Sequence, residues 1–116
     1  MMEDAIFNEL IASGYSVDIG VVDVWGTEGG KNVLRHHEID FVVNTGFSKV
    51  YVQSAFSVDN PDYRAREVLP LNRSGDNFRK IVVVSGASRL WTDNDGISYV
   101  GLLTFLMNPE SVLKCD

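Results

Sequence analysis

Cysteine, histidine and proline are scarce in this 116-residue chain, which has one, two and three of them. A single cysteine, Cys115, has no partner for an internal disulfide, which fits a reducing, cytoplasmic setting. No apolar run approaches the roughly 20 residues of a membrane span. The opening Met1-Met2-Glu3-Asp4 has no basic stretch before an apolar one, so no secretory signal is expected. Positive charge is also short: 10 Lys and Arg against 16 Asp and Glu give a net charge of −6 and a pI near 4.7. Non-specific nucleic-acid binding depends on neutralising phosphates, so the balance disfavours DNA as a partner. Arg64, Arg66, Arg73, Arg79 and Lys80 form the one basic cluster, and it reads first as a solvated helix and strand edge.

Two motifs fail on inspection. Gly29-Gly30-Lys31 lacks the preceding glycine and following Ser/Thr of a phosphate loop and lies between two strands, so ATP hydrolysis is not expected of this chain. His36 and His37 are adjacent on a strand and point to opposite faces, which prevents them from chelating one metal together.

What remains is an ordinary globular composition, 45% hydrophobic and 22% charged, sized for one domain over residues 1–116. Residues 3–13 predict a helix with Ile6, Leu10 and Ser13 in one stripe, Glu9 on its edge and Gly14 as the stop. Tyr15 to Trp25 reads as a strand whose apolar phase switches, suggesting a bulge or twist near Val21. Gly26 to Asn32 reads as a flexible loop, and Val33 to Val43 as the returning antiparallel strand. Asn60-Pro61 starts a second helix, weakened near its end by Pro70. Ile81 to Val84 looks buried on both faces, as in a parallel or central strand. Trp91 reads as an anchor and Asp93 to Gly96 as a turn. Ile97 to Val100 is a short strand, Gly101 to Met107 a helix start and Asn108 to Leu113 a closing turn. The order αβββαββα indicates an α/β or α+β fold with a sheet flanked by helices.

The stretch that looks like a site is 38–56. Alternation puts Asp40 on the face opposite Ile39, Phe41 and Val43, and Asn44 to Gly46 supplies a turn. Beyond the turn, Tyr51, Gln53 and Ala55 share one face, with Val50, Val52 and Ser54 on the other. Asp40 and Gln53 can then converge on one face of a hairpin. An acid on the first helix, an Asp on the second strand and an oxygen donor on the third can hold Mg²⁺, activate water and bridge a phosphate. An exposed edge at Val17 to Val24 or Lys49 to Phe56 could pair with another protomer.

Several strings carry a family likeness. They are Asn8 to Val24, Glu38-Ile-Asp-Phe-Val-Val43, Tyr51-Val-Gln-Ser-Ala55, Phe78 to Val84, Trp91-Thr-Asp-Asn-Asp-Gly-Ile97 and Gly101 to Leu106. In sequence and order they resemble the C-terminal domain of a group of bacterial and archaeal AAA-type ATPases. That domain, of undetermined function, is similar to the PD-(D/E)XK nuclease superfamily. The resemblance implies a restriction-endonuclease-like mixed sheet, a place at the end of a longer ATPase, and an ATPase domain in cis or in trans as partner. It implies catalytic and metal-binding roles for Glu9, Asp40 and Gln53, with Mg as cofactor if the site works and Lys49 or Tyr51 assisting. Ala55 stands where the family has its lysine, the group that orients water and stabilises charge on the phosphorane. Three readings follow: a degraded, non-catalytic docking module, a metal-dependent nuclease, or a ligand-sensing or toxin–antitoxin-like regulatory domain.

Overall fold

Ile6 and Leu10 lie one helical turn apart and are fully buried, which fixes the inward face of the first helix, α1 (Met2–Ala12). A computed structural model describes residues 2–45, 48–55, 61–72, 78–85, 90–93 and 95–114, the side chains of 61, 63, 64, 67 and 114 excepted. After α1 come β1 (Ser16–Glu28), β2 (Lys31–Asn44), β3 (Lys49–Ala55), α2 (Pro61–Asn72), β4 (Arg79–Val84), β5 (Trp91–Thr92) and β6 (Ile97–Gly101). Two short helices, α3 (Leu102–Met107) and α4 (Pro109–Lys114), close the chain.

The strands form one six-stranded mixed sheet in the order β1-β2-β3-β4-β6-β5. β1, β2 and β3 pair antiparallel, β4 runs parallel to both β3 and β6, and β5 closes antiparallel on β6. Ile81 to Val84 of β4 are buried throughout because both sheet faces are covered there, as the unbroken apolar run predicts. On one face Val43, Val52, Ile81 and Val83 pack with Ile6 and Leu10 of α1, Phe105 of α3 and Val112 of α4. On the other, Ile39, Val42, Val82 and Tyr99 pack with Val68 and Leu71 of α2. Among the described residues no helix is long and apolar enough to cross a membrane.

Four local expectations change. The loop expected over Gly26 to Asn32 is strand almost to its tip, with Glu28 facing Lys31. Only Gly29 and Gly30 turn the chain, at φ 57° and 79°, the paired positive values that a twist-matched two-residue hairpin needs. The expected turn at Asn108 to Leu113 is the helix α4: Pro109 takes its first position and the Asn108 side chain accepts the Ser111 N–H at 3.3 Å. With β5 added, the order becomes αβββαβββαα rather than αβββαββα. β3 lies between β2 and β4, so it is no edge, and β1 is one. The helix start at Asn60 lies outside the described residues, as do Gly46 of the β2–β3 turn and Phe56. α2 itself runs through Pro70 to Asn72.

The bulge is also displaced, from near Val21 in β1 to β2. Between the facing pairs Asp18–Val42 and Gly20–Ile39, Ile19 alone stands opposite both Asp40 and Phe41. Ile39 and Phe41 consequently enter different cores. Gly20 sits beside this crowding: a Cβ there would lie 2.8 Å from Val42 Cγ2 and 3.2 Å from Ile39 Cβ. Neither atom is the free end of a flexible chain, so Gly20→Ala should destabilise the fold by about 1–3 kcal/mol, the usual cost of overpacking. A urea melt with an unchanged slope and a lower midpoint is the expected result, whereas an unshifted midpoint would show that the bulge can relax.

Candidate functional site

β2 and β3 are paired only from Phe41–Val52 to Asn44–Lys49. At the next residue β2 leaves the sheet, while β3 continues beside β4 as far as Ala55–Val84. Such a fork strands backbone groups on both sides, and side chains take them up. The Asp40 N–H donates to Gln53 Oε1 at 2.9 Å. Reciprocally, the Ser54 N–H donates to Asp40 Oδ2 at 2.9 Å, and the Ser54 hydroxyl reaches the same oxygen at 2.7 Å. Each strand thus caps the other where the ladder stops. Gln53 and Ser54 are both buried, which makes these bonds costly to lose.

Asp40 and Gln53 do meet, as the strand reading expects, but on different terms. The bulge turns the Asp40 carboxylate to the α1 side of the sheet, the face of Phe41 and Ser54, and not to the face opposite Phe41. There the Ser54 hydroxyl also lies 3.2 Å from Glu3 Oε1, so its single proton is shared between two carboxylates. Glu3 is held below its ordinary carboxyl pKa, first by its own backbone N–H at the helix start and then by Ser54.

Glu9 takes no part in this arrangement. It is partly buried on α1, six residues beyond Glu3, which is about 9 Å along the helix and about 120° around it. No hydrogen bond joins it to Asp40 or Gln53, and among the described residues no group of three or more His, Cys, Asp or Glu side chains could hold a metal ion. Glu3 and Ser54 are the contacts that the sequence reading missed. An acid in the first helical turn reads as ordinary dipole compensation, but Ser54 continues the inward Val50, Val52 row and was detectable as a polar residue in an apolar register.

The remaining candidates fall elsewhere. Ala55 is 2% exposed within the α2-side core, leaving no space for a lysine without repacking. Lys49, six residues back along β3, is about 20 Å from it. Tyr51 faces the α2 side, edge-on to Phe78 at 5.9 Å, with the Lys80 ammonium 5.9 Å from its ring centroid. The Lys80 ammonium also donates to the Phe78 carbonyl, and Arg79 Nε to that of Val112, so two members of the basic cluster have structural partners; Arg73 and the Arg64 side chain lie outside the described residues. His36 and His37 lie on opposite faces of β2, with His36 Nδ1 hydrogen-bonded to the Asp23 carboxylate of the facing β1. The Asp93 carboxylate accepts from the Asp95 and Ile97 amides and the Tyr99 hydroxyl at 2.7–3.0 Å, a filled turn as expected. Trp91 stacks on Tyr99 at 4.2 Å.

Beside the fork, Phe7, Val17, Asp18, Ile19, Asp40 and Phe41 line an open, mainly apolar groove of 420 Å³. Four of its six lining side chains are apolar, and the other two, Asp18 and Asp40, are carboxylates.

No protein-family model matches the chain. It is 29% identical over 106 residues to an uncharacterized protein of Haemophilus influenzae, an alignment covering 91% of this chain and 22% of that protein. The chain therefore spans about a fifth of the length of the curated relative it matches.

Two outcomes test the fork. Asp40→Ala leaves the Ser54 N–H without its acceptor and should cost about 1–3 kcal/mol, whereas Asp40→Asn, which keeps an oxygen there, should cost less. Equal losses would place the importance of Asp40 in its charge. For Glu3, a folded pKa below the unfolded one stabilises the fold fully above the ordinary carboxyl range, and this contribution is lost as pH falls through the folded value. Acid denaturation of Glu3→Gln should accordingly be shallower than that of the parent; identical profiles would remove Glu3 from the balance.

Proposed function

We propose that this chain is a nuclease-like accessory domain of an AAA-type ATPase whose restriction-endonuclease-like fold is kept for protein docking and whose catalytic site is degraded. The observation that carries the reading is the fork. Asp40 and Gln53, the side chains a nuclease would turn toward a cation, are used as substitutes for the missing β2–β3 ladder. Ala55 in the lysine position, the place of Glu9 outside the Asp40–Ser54–Glu3 network, and the net charge of −6 all favour docking over phosphodiester cleavage. A match to about a fifth of a much longer protein fits a module that works beside other domains.

The competing reading is a Mg²⁺-dependent endonuclease, favoured by one observation: the Asp40 carboxylate lines an open groove, with the exposed Glu3 carboxylate joined to it through Ser54. One paired experiment separates them. Calorimetric titration of Mg²⁺ and Mn²⁺ into the parent and Asp40→Asn should show no binding at millimolar metal, and supercoiled plasmid should stay intact. Saturable binding abolished in the variant, together with nicking, would establish the nuclease instead.

A further inference from the structure

From the Gly20–Ile39 pair outward the β1–β2 hairpin leaves the sheet as a two-stranded arm of nine residues per strand, about 30 Å long. Isolated two-stranded ribbons are marginal in water, so the state of their edges matters. The inner edge, on β2, is defended by Lys31, Arg35, His36 and Glu38. At the far side of the sheet, β5 offers only two residues. The outer edge, on β1, is long, and its only charges are the acids Asp18, Asp23 and Glu28. It runs for 13 residues without a lysine, arginine or proline, and among the described residues it pairs only with β2. On the same strand Ile19, Val21 and Trp25 share one face and are 71%, 60% and 69% exposed, with Leu34 opposite Trp25. Exposed apolar side chains gathered on one strand face, interrupted there by Asp23, mark an interaction surface.

We propose that the occupant is a second copy of this chain, its β1 pairing antiparallel with β1 about a two-fold axis at Val22. The register follows from the sequence of the strand. Facing residues of an antiparallel pair share a sheet face, so a symmetric pairing must be centred on a residue. Centred on Val22, the two strands overlap from Ser16 to Glu28, the whole of β1. Ile19 then faces the partner's Trp25 on both sides of the axis, an aromatic–aliphatic pair of the sort that stabilises sheets. Asp18 faces the partner's Gly26, Asp23 faces the partner's Val21 and Glu28 faces the partner's Ser16, so no acid meets an acid. Sliding to a centre at Asp23 puts that residue against itself and Asp18 against Glu28. A centre at Val21 sets Asp23 against Ile19. Asp23, the one acid near the axis, is hydrogen-bonded to His36 within its own copy. A charge of −6 on each copy opposes association at long range, so added salt should tighten the dimer by screening. This inference is independent of the proposed function.

Sedimentation velocity over a concentration series is the first test, with a reversible dimer expected that tightens from low to high salt. Ile19→Lys with Trp25→Lys alters two exposed positions, so circular dichroism should be unchanged while the dimer is lost. In a Cys115→Ser background, oxidised Val22→Cys should cross-link across the axis, where facing Cα atoms fall within the roughly 4.4–6.8 Å a disulfide spans. Val24→Cys, displaced from its own copy by four residues or about 13 Å, should not. A monomer at every concentration overturns the proposal and leaves the edge to a different chain. A dimer indifferent to the lysine pair, or one cross-linked as readily through Val24→Cys, overturns the register and with it the surface assigned here.

Discussion

Where β2 departs from β3, hydrogen bonding passes from the backbone to side chains, and much of the remaining geometry answers to that exchange. Two strands that diverge leave amides facing no partner, and an unpaired buried amide costs about 1–3 kcal/mol. Asp40 and Gln53 remove that cost from opposite sides, each side chain taking a backbone N–H of the other strand or of its immediate neighbour. The bulge at Asp40 and Phe41 is what brings the carboxylate round to Ser54, and Gly20 is what allows β1 to follow the bulged strand without a collision. Fork, bulge and glycine are three views of a single constraint, and the free arm beyond them is its result.

The same constraint bears on chemistry. An Asp and a Gln at these positions satisfy the residue types of a nuclease motif, yet residue type does not say whether a side chain points at solvent, at a cation or at a neighbouring peptide. Here both point at peptides, and the hydroxyl of Ser54 extends the network to the first turn of α1. The arrangement ties the first turn of α1 to the sheet, and it makes the proposed loss of catalysis a change of use for the side chains that remain.

How far the sequence could be read depended on whether a feature leaves a periodic trace. The apolar run of β4 and the Ile6, Leu10 stripe of α1 are periodic, and both were legible. The convergence of Asp40 and Gln53 was legible as proximity, because the turn between their strands fixes roughly which residues come level. The face of Asp40 was not, since period-2 counting assumes an unbroken ladder and one inserted residue reverses everything beyond it. Ile39 and Phe41, read as neighbours on one face, are divided between two cores for that reason. Other misses had a local signal: Gly29-Gly30 is a tight-turn dipeptide, and Asn108-Pro109 repeats the Asn-Pro pair from which a helix start was expected at Asn60-Pro61. The contact between Glu3 and Ser54 spans 51 positions and has no local signal.

The two tryptophans of the chain stand on the two outermost strands of the sheet, Trp25 on β1 and Trp91 on β5. Their surroundings differ: one indole is largely bare on the arm, and the other is stacked against a tyrosine ring that is itself 1% exposed. The molecule thus carries a separate optical reporter at each margin, one sensitive to solvent and quencher and the other to the integrity of the β5–β6 corner. Fraying that begins at the arm and fraying that begins at the opposite margin would give emission changes of different colour and different order in time.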